Sequence, residues 1–259
     1  MEGSLILIGA GASFAAGLLT GAGALPVFIV RRISESTQDA MLGFAAGVMM
    51  AASVFSLILP ALEEARLDLA NETAATLVVI AGILFGGAVL WLINERVPHE
   101  HFILGHEGPP TERLRRIWLF VIAITLHNFP KGLAVGVGFG TGDFGSATAL
   151  AIGIGLQNIP EGLAVAVALL TLDYSRGQAL AVATATGLVE PVGGLIGVVA
   201  VTVAEALLPW GLAFAAGAMI FVISDEIIPE THRRDHQNQA TFGLMIGFVL
   251  MMFLDVMLG

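Results

Sequence analysis

The decisive stretch of this sequence is His127-Asn128-Phe129-Pro130-Lys131-Gly132-Leu133-Ala134-Val135, which recurs thirty residues later as Gln157-Asn158-Ile159-Pro160-Glu161-Gly162-Leu163-Ala164-Val165. Both copies lie inside apolar sequence. Hydrocarbon disfavours proline, amide, imidazole and charge at one depth of an isolated helix, so such residues face a bundle interior or a watery cavity. The repeat is therefore a candidate site within a membrane-spanning bundle.

The composition predicts an integral membrane protein, because 56% of the 259 residues are hydrophobic, 12% are charged and the mean hydropathy is +0.88. A helix crosses the roughly 30 Å hydrocarbon layer with about 20 apolar residues. Continuous apolar runs predict eight such helices, at 4–30, 39–62, 74–94, 117–140, 146–171, 178–203, 206–224 and 241–258. Because these runs do not alternate with polar residues, we predict an all-α membrane protein, one domain over 1–259, rather than a β-barrel.

The loop arginines predict the orientation. Nine of them fall on one side of the eight helices and only Arg66 falls on the other, so both termini are expected outside the cytoplasm. No basic region precedes the first apolar run, which favours a retained helix over a cleaved signal peptide. We expect a multi-pass protein of the cell (inner) membrane.

The loop between helices 3 and 4, residues 95–116, is then cytoplasmic. It carries His99-Glu100-His101 and His106-Glu107, which could form a weak metal buffer or an ordinary solvated linker. The net charge of −10 excludes a nucleic-acid partner, and the absence of cysteine excludes thiolate metal sites.

The two copies of the repeat run in opposite directions, because helix 4 is expected to run outward and helix 5 to run back. A second echo supports this inversion, since residues 44–49 of helix 2 recur at 214–219 of helix 7 with Ala218 in place of Val48. Inverted repeats of this kind place transporter sites near the bilayer midplane. We therefore predict inverted pseudo-repeats with a central site.

Within each copy the polar residues share one helix face. Four residues separate His127 from Lys131 and Gln157 from Glu161, so each pair lies one turn apart. Pro130 and Pro160 remove one backbone hydrogen bond each, and the freed carbonyls could receive cations. The alternative is a pair of proline kinks accommodated by neighbouring helices.

Helix 6 adds Glu190-Pro191 near the middle of an otherwise uncharged span. A carboxylate there is costly unless it is paired or hydrated. Together with His127, Glu161 and the nearby amides it offers imidazole and oxygen ligands, which suit Zn²⁺, with Fe²⁺, Mn²⁺ and Cd²⁺ open.

These three motifs on eight spans resemble the ZIP (Zrt/Irt-like) family of divalent metal transporters, specifically its bacterial GufA-type branch. The resemblance implies transport of zinc and related ions into the cytoplasm through a two-metal centre on helices 4, 5 and 6. It implies no organic cofactor, since the metal is the cargo. It also implies that helices 1, 4, 5 and 6 move as a unit against helices 2, 3, 7 and 8.

The resemblance assigns ligands by position. The first metal site would use His127, Gln157, Glu161 and Met49. The second would use Asn128, Asn158, Glu190, residue 131 and Glu161 as a bridge.

The chain departs from this branch at residue 131, where Lys131 replaces the usual glutamate. With glutamate at this position, the charges of three carboxylates and two divalent ions would sum to +1. With Lys131, the charges of two carboxylates, one ammonium and one divalent ion also sum to +1. We therefore predict one transported ion, with the Lys131 ammonium replacing the second and pairing with Glu161 or Glu190. The rival prediction is a neutral Lys131 amine that binds metal, which burial permits and neighbouring carboxylates oppose.

Peripheral residues could extend a pathway. Glu63 and Asp255 are expected near the outer ends of helices 2 and 8, where they could help an ion enter; capping or charge solvation would explain them equally well. The corresponding exit candidates are Asp225, Glu226, His232 and His236. Glycines at four-residue spacing, such as Gly132 and Gly136, predict close helix packing.

Two other classes remain open at this point. A metal-gated channel or receptor would use the same midplane ligands. An intramembrane metal-dependent hydrolase is less favoured, because the His-Glu-x-x-His signature is absent. The expected partners are divalent metal ions and the lipid bilayer, with a homodimer as an open option, and we expect no enzymatic activity.

Overall fold

The structure is a computed structural model that describes residues 2–29, 34–69, 71–96, 110–231 and 236–258. All regular secondary structure in these residues is helical. Eight segments follow in chain order: α1 (Glu2–Ala24, then a 3₁₀ turn at Leu25–Phe28), α2 (Glu35–Ala52, Ser53–Ile58 and Leu59–Asp68), α3 (Glu72–Arg96), α4 (Pro110–Gly140), α5 (Phe144–Leu170), α6 (Arg176–Gly187 and Glu190–Val203), α7 (Leu208–Val222, Ile223–Ile227 and Ile228–Thr231) and α8 (Gln237–Leu258).

Each of the eight segments coincides with one predicted span, which confirms the all-α prediction for the described part of the chain. Within the described residues, seven of them are long and apolar enough to cross a membrane on length and composition alone.

The sequence predicts a span over 178–203, and Arg176–Val203 is long and apolar enough to cross a membrane. Within this span α6 is two helices separated by a turn at Leu188 and Val189, which the sequence did not predict. Pro191 has no N–H to donate to the Gly187 carbonyl, which removes one helical hydrogen bond, and it lies in the first turn of the second half of α6. The Leu188 N–H instead closes the first half on the carbonyls of Thr184 and Ala185, both at 3.2 Å.

Pro130 and Pro160, by contrast, each lie within one continuous helix. The break that the repeat suggested therefore occurs beside the third motif, where Glu190 begins the second half of α6. Cation binding by the carbonyls that these two prolines free stays a prediction.

The helices pack in two groups. In the first, α1 contacts α5 and both halves of α6, and α4 contacts the second half of α6. In the second, α2 packs on α8 and α3 packs on α7. Contacts between the groups run from α5 to α2 and α8, and from α4 to α7. These are the two sets of helices that the resemblance implies, while their relative movement stays a prediction.

Glycines allow this close packing. A Cβ added to Gly132 would meet the backbone oxygen of Glu190, and one added to Gly193 would meet that of Phe129. Small residues that bring helix backbones together are the usual packing device in membranes. Close packing at four-residue spacing is therefore confirmed at these glycines. The residue that an added Cβ would meet at each of the others is Gly187 for Gly17, Thr184 for Gly21, Ala213 for Gly82, Phe214 for Gly86, Gly194 for Gly136, Val201 for Gly140 and Leu133 for Gly197.

The second sequence echo also has a structural counterpart. Gly47 lies against the backbone oxygen of Leu244, and Gly217 lies against that of Ile83. Both α2 and α7 then turn into a π-helix, at Ser53–Ile58 and at Ile223–Ile227. The matching sequences therefore make matching close contacts, and each is followed by a π-helical turn. Such turns are rare and are frequent at functional sites.

Candidate metal centre

Polar side chains from α4, α5 and α6 are buried in the interior of the bundle, and hydrogen bonds connect those of Asn128, Lys131, Asn158, Glu161 and Glu190. Each is at most 8% exposed, and they are His127, Asn128, Lys131, Gln157, Asn158, Glu161 and Glu190. Buried charged and amide groups are costly unless they find partners. Their contacts therefore define what this centre can hold.

Lys131 is the hub of these contacts. Its Nζ donates to Asn128 Oδ1 at 3.0 Å and to Asn158 Oδ1 at 3.4 Å, and it forms an ion pair with Glu161 Oε2. An ammonium has three N–H donors, and the three oxygens match them. Of the two partners open to Lys131 in the sequence, the structure selects Glu161.

Glu190 is bound on one side. Asn158 Nδ2 donates to Glu190 Oε1 at 2.7 Å and to the Ala16 carbonyl of α1 at 2.9 Å. The other carboxyl oxygen, Oε2, has no hydrogen-bond partner among the described residues. The Ser13 hydroxyl donates a hydrogen bond to the backbone carbonyl of Glu190, at 2.8 Å.

Asn128 is oriented in the same way. Its Nδ2 donates to the Thr186 carbonyl at 2.9 Å, in the last turn before the α6 break. Both asparagines thus direct nitrogen to a backbone carbonyl and oxygen to Lys131. The break in α6 supplies one of these carbonyls, so the local unwinding positions the centre.

Gln157 differs from these side chains. It is fully buried, and neither its Oε1 nor its Nε2 has a hydrogen-bond partner in the part of the chain that the structure describes. A buried, unsatisfied amide costs about 1–3 kcal/mol, and such groups mark functional positions in native structures. The side chain is therefore suited to receive a ligand.

Met49 is 1% exposed and belongs to the apolar core cluster of the bundle. The Ser53 hydroxyl donates to its carbonyl at 2.8 Å, in the turn where the α-helical part of α2 becomes a π-helix. This location agrees with a packing role, and contact between its sulfur and a metal stays a proposal.

Imidazole and carboxylates alone do not form a metal site. Across the described ranges, no three His, Asp or Glu side chains lie close enough together to hold an ion. The amide oxygens of this centre are further ligands that a divalent ion can use.

A second polar feature is a cavity of about 270 Å³ at the end of the bundle where α4 ends and α5 begins. It brings the predicted entry residues Glu63 and Asp255 together with Glu64 and Asp143. Asp255 Oδ1 accepts a hydrogen bond from the Ser56 hydroxyl at 2.6 Å. Asp143 was not predicted from the sequence, although an aspartate just before a helix is a recognisable N-cap.

Asp143 caps α5 through hydrogen bonds from the backbone N–H groups of Gly145 and Ser146, at 3.0 and 3.2 Å. The Ser146 hydroxyl also donates to it, at 2.7 Å. This hydroxyl is the main reason that the pKa of Asp143 lies below its usual value, with slight burial opposing the shift and the backbone donors adding to it. The carboxylate therefore keeps its charge in moderately acidic solution.

Two of the predicted exit residues have described side chains. Asp225 lies half-buried in the π-helix of α7, and His236 lies half-buried in the turn before α8. The loop histidines and glutamates at 99–107 and His232 lie outside the described residues, as does the side chain of Glu226.

The fold and the centre define a multi-span helical membrane protein with a charged, amide-rich centre inside the bundle. A family model described as ZIP Zinc transporter matches residues 93–255. The zinc transporter GufA of Myxococcus xanthus is 48% identical over 254 residues, covering 97% of this chain and 100% of that protein. The zinc transporter ZIPB of Bordetella bronchiseptica is 50% identical over 253 residues, covering 98% and 81%. ZIP11 of Homo sapiens is 35% identical over 326 residues, covering 93% and 94%.

The chain therefore belongs to the ZIP zinc transporter family, which confirms the resemblance seen in its motifs. Its named relatives are transporters rather than enzymes.

Proposed function

We propose that this protein carries divalent metal ions, zinc foremost, across the membrane toward the cytoplasm, and that it binds one ion at a time at the centre on α4, α5 and α6. The observation that supports this most is the position of the Lys131 ammonium among oxygens of Asn128, Asn158 and Glu161. Relatives of high identity are named zinc transporters. Cadmium, iron and manganese are further cargoes compatible with imidazole and oxygen ligands.

The transported ion binds at His127, Gln157 and Glu161, with Met49 approaching from α2. The unsatisfied amide of Gln157 supports this assignment, because a metal would satisfy its oxygen. Glu161 serves both cations, since one carboxyl oxygen pairs with Lys131 and the other is left for the ion.

Lys131 takes the place of a second ion. The three oxygens around its ammonium belong to residues that the family resemblance assigns to the second metal. A divalent ion placed about 4 Å from the ammonium would be repelled by on the order of 8 kcal/mol at an effective dielectric constant of about 20. Two carboxylates are too few to offset this repulsion in addition to the charge of the first ion.

Ions enter through the acidic cavity of Glu63, Asp143 and Asp255. Carboxylates at the mouth of a low-dielectric channel raise the local cation concentration. Asp225, Glu226 and His236 then pass the ion onward at the opposite face.

The test is zinc uptake into vesicles that contain the purified chain. Saturable uptake at low micromolar zinc, abolished in folded His127→Ala protein, is the expected result. A linear, non-saturating flux would favour a metal-gated channel instead, and absence of flux would refute transport.

A further inference from the structure

A large apolar cavity lies on the other side of α5 from the candidate metal centre. Its volume is about 780 Å³, and it is bounded by α2, α5 and α8. The α5 side chains that line it are Leu156, Ile159 and Pro160. The neighbouring residues on α5, Gln157, Asn158 and Glu161, belong to the metal centre. One helix therefore separates the two sites.

The walls of this cavity open to the hydrocarbon of the membrane. Phe242 and Ile246 on α8 are 65% and 62% exposed, and Met41 and Phe44 on α2 are half-buried. Water is not retained at such apolar walls, because it needs two to four polar partners. The natural occupant is thus hydrocarbon.

Polar side chains occur at one end of the cavity. Thr37, Asn238 and Gln239 line that end and are exposed, and they lie within the first turn of α2 or α8. From Gln239 to Ile246 the helix rises about 10 Å. The cavity is therefore polar where the helices begin and apolar further in, which is the order of polarity along a phospholipid from headgroup to acyl chain.

We propose that an acyl chain of a membrane phospholipid occupies this cavity, with the headgroup region hydrogen-bonded to Thr37, Asn238 and Gln239. The volume lies within the roughly 300–1,000 Å³ of small-molecule sites. Inside a membrane, lipid and side chain are equally apolar, so the chain is retained by van der Waals fit rather than by the hydrophobic effect.

This lipid lies between the two groups of helices. α2 and α8 pack closely together. Gly43 of α2 lies against the backbone carbonyl of Ala240, and Gly243 of α8 lies against that of Ala40. α5 belongs to the other group. The acyl chain therefore touches both groups of helices next to Pro160. If relative movement of these groups carries the ion, zinc uptake will depend on the lipid, and this consequence rests on the proposed function.

Native mass spectrometry of the purified full chain tests the site directly. The protein is released from detergent micelles doped with dioleoyl phosphatidylethanolamine, without added metal, and the lipid-bound fraction is measured. Ala40→Phe and Ile246→Trp fill the cavity from α2 and α8. Ala88→Phe, at an exposed position of α3, adds the same bulk outside it.

We expect one lipid retained per chain by the wild type and by Ala88→Phe, and at least a tenfold smaller lipid-bound fraction in both filled variants. Equal retention in the filled variants, or no retention by the wild type, would overturn the proposal. Should Ala40→Phe fail to fold, Ile246→Trp decides, because its side chain is at the surface.

A parallel measurement replaces the phospholipid with oleic acid. Retention of oleate to the same extent, with displacement of the phospholipid, would identify a free fatty acid and contradict our assignment. Because lipid retention is measured without metal, failure here leaves the transport proposal standing, and absence of zinc uptake leaves the lipid site standing.

Discussion

The Lys131 ammonium and the Glu161 carboxylate form an ion pair inside the helix bundle, with side chains 1% and 4% exposed. They occupy the same position in the two copies of the repeat. The pattern thus places a cation and an anion at equivalent points of two neighbouring helices, where they meet.

Removing this cation should make the centre depend on metal. Lys131→Gln leaves Glu161 buried without its partner, and breaking a buried pair costs about 3–5 kcal/mol. We expect a lower Tm in metal-free buffer and a larger rise in Tm on adding zinc than the wild type shows, measured by thermal unfolding in detergent. An unchanged metal-free Tm would show that the ion pair does not stabilise the fold.

Gln157→Leu should separate stability from binding. The substitution removes a buried amide without partners, so the metal-free protein should be as stable as the wild type or more stable, by up to about 1–3 kcal/mol. Zinc affinity, measured by calorimetry, should fall. Asn158→Leu is the matched comparison, since Asn158 donates to Glu190 and to the Ala16 carbonyl and its loss should destabilise. A destabilised Gln157→Leu protein with normal zinc binding would reverse the assignment.

Gly132→Ala should disturb the centre through the backbone. The added Cβ meets the Glu190 carbonyl, so α4 and α6 must separate, and overpacking of this kind costs about 1–3 kcal/mol. Both Tm and zinc affinity should fall. Gly11→Ala in α1 is the control, because nothing lies within 4 Å of its added Cβ. Equal effects of the two substitutions would argue against close packing as the cause.

Asp143→Asn should affect entry and leave the fold intact. Asparagine caps a helix about as well as aspartate, so the protein should stay folded at pH 7 with only a small fall in Tm from the lost carboxylate, while KM for zinc uptake should rise with little change in kcat. Asp143 has a lowered pKa in the folded protein, so its contribution to stability is present above its unfolded pKa and is lost as pH falls through the lower, folded value. The KM difference should therefore persist from pH 7 to pH 5. Its disappearance at pH 5 would contradict the role of a charged Asp143.

Much of the fold follows from sequence because hydropathy and small-residue spacing are local signals. The eight helices are read from apolar runs, and close packing at glycines such as Gly132 is read from four-residue spacing, whereas the helices that meet there are known only from the structure. The break in α6 was not predicted. Hydropathy marks Glu190-Pro191 as a polar interruption in an apolar span, but it does not show whether the helix ends before or after these residues. In fact it stops before Glu190, where Pro191 has no N–H to donate.

The candidate site was predictable in composition and less so in geometry. Residue types and spacing single out Lys131 and Glu161, yet the choice of Glu161 over Glu190 as partner depends on how α4, α5 and α6 meet in space. Asp143 escaped notice for the same reason, because its distance in sequence from Glu63 and Asp255 hides the cavity that they share.

We have proposed that the Lys131 ammonium replaces a second metal ion. The most direct test of this proposal is the number of ions located by anomalous scattering in crystals grown with excess zinc, for the wild type and for Lys131→Glu. We predict one fully occupied ion beside His127, Gln157 and Glu161 in the wild type and two in Lys131→Glu. Two fully occupied ions between α4, α5 and α6 in the wild type would contradict the account.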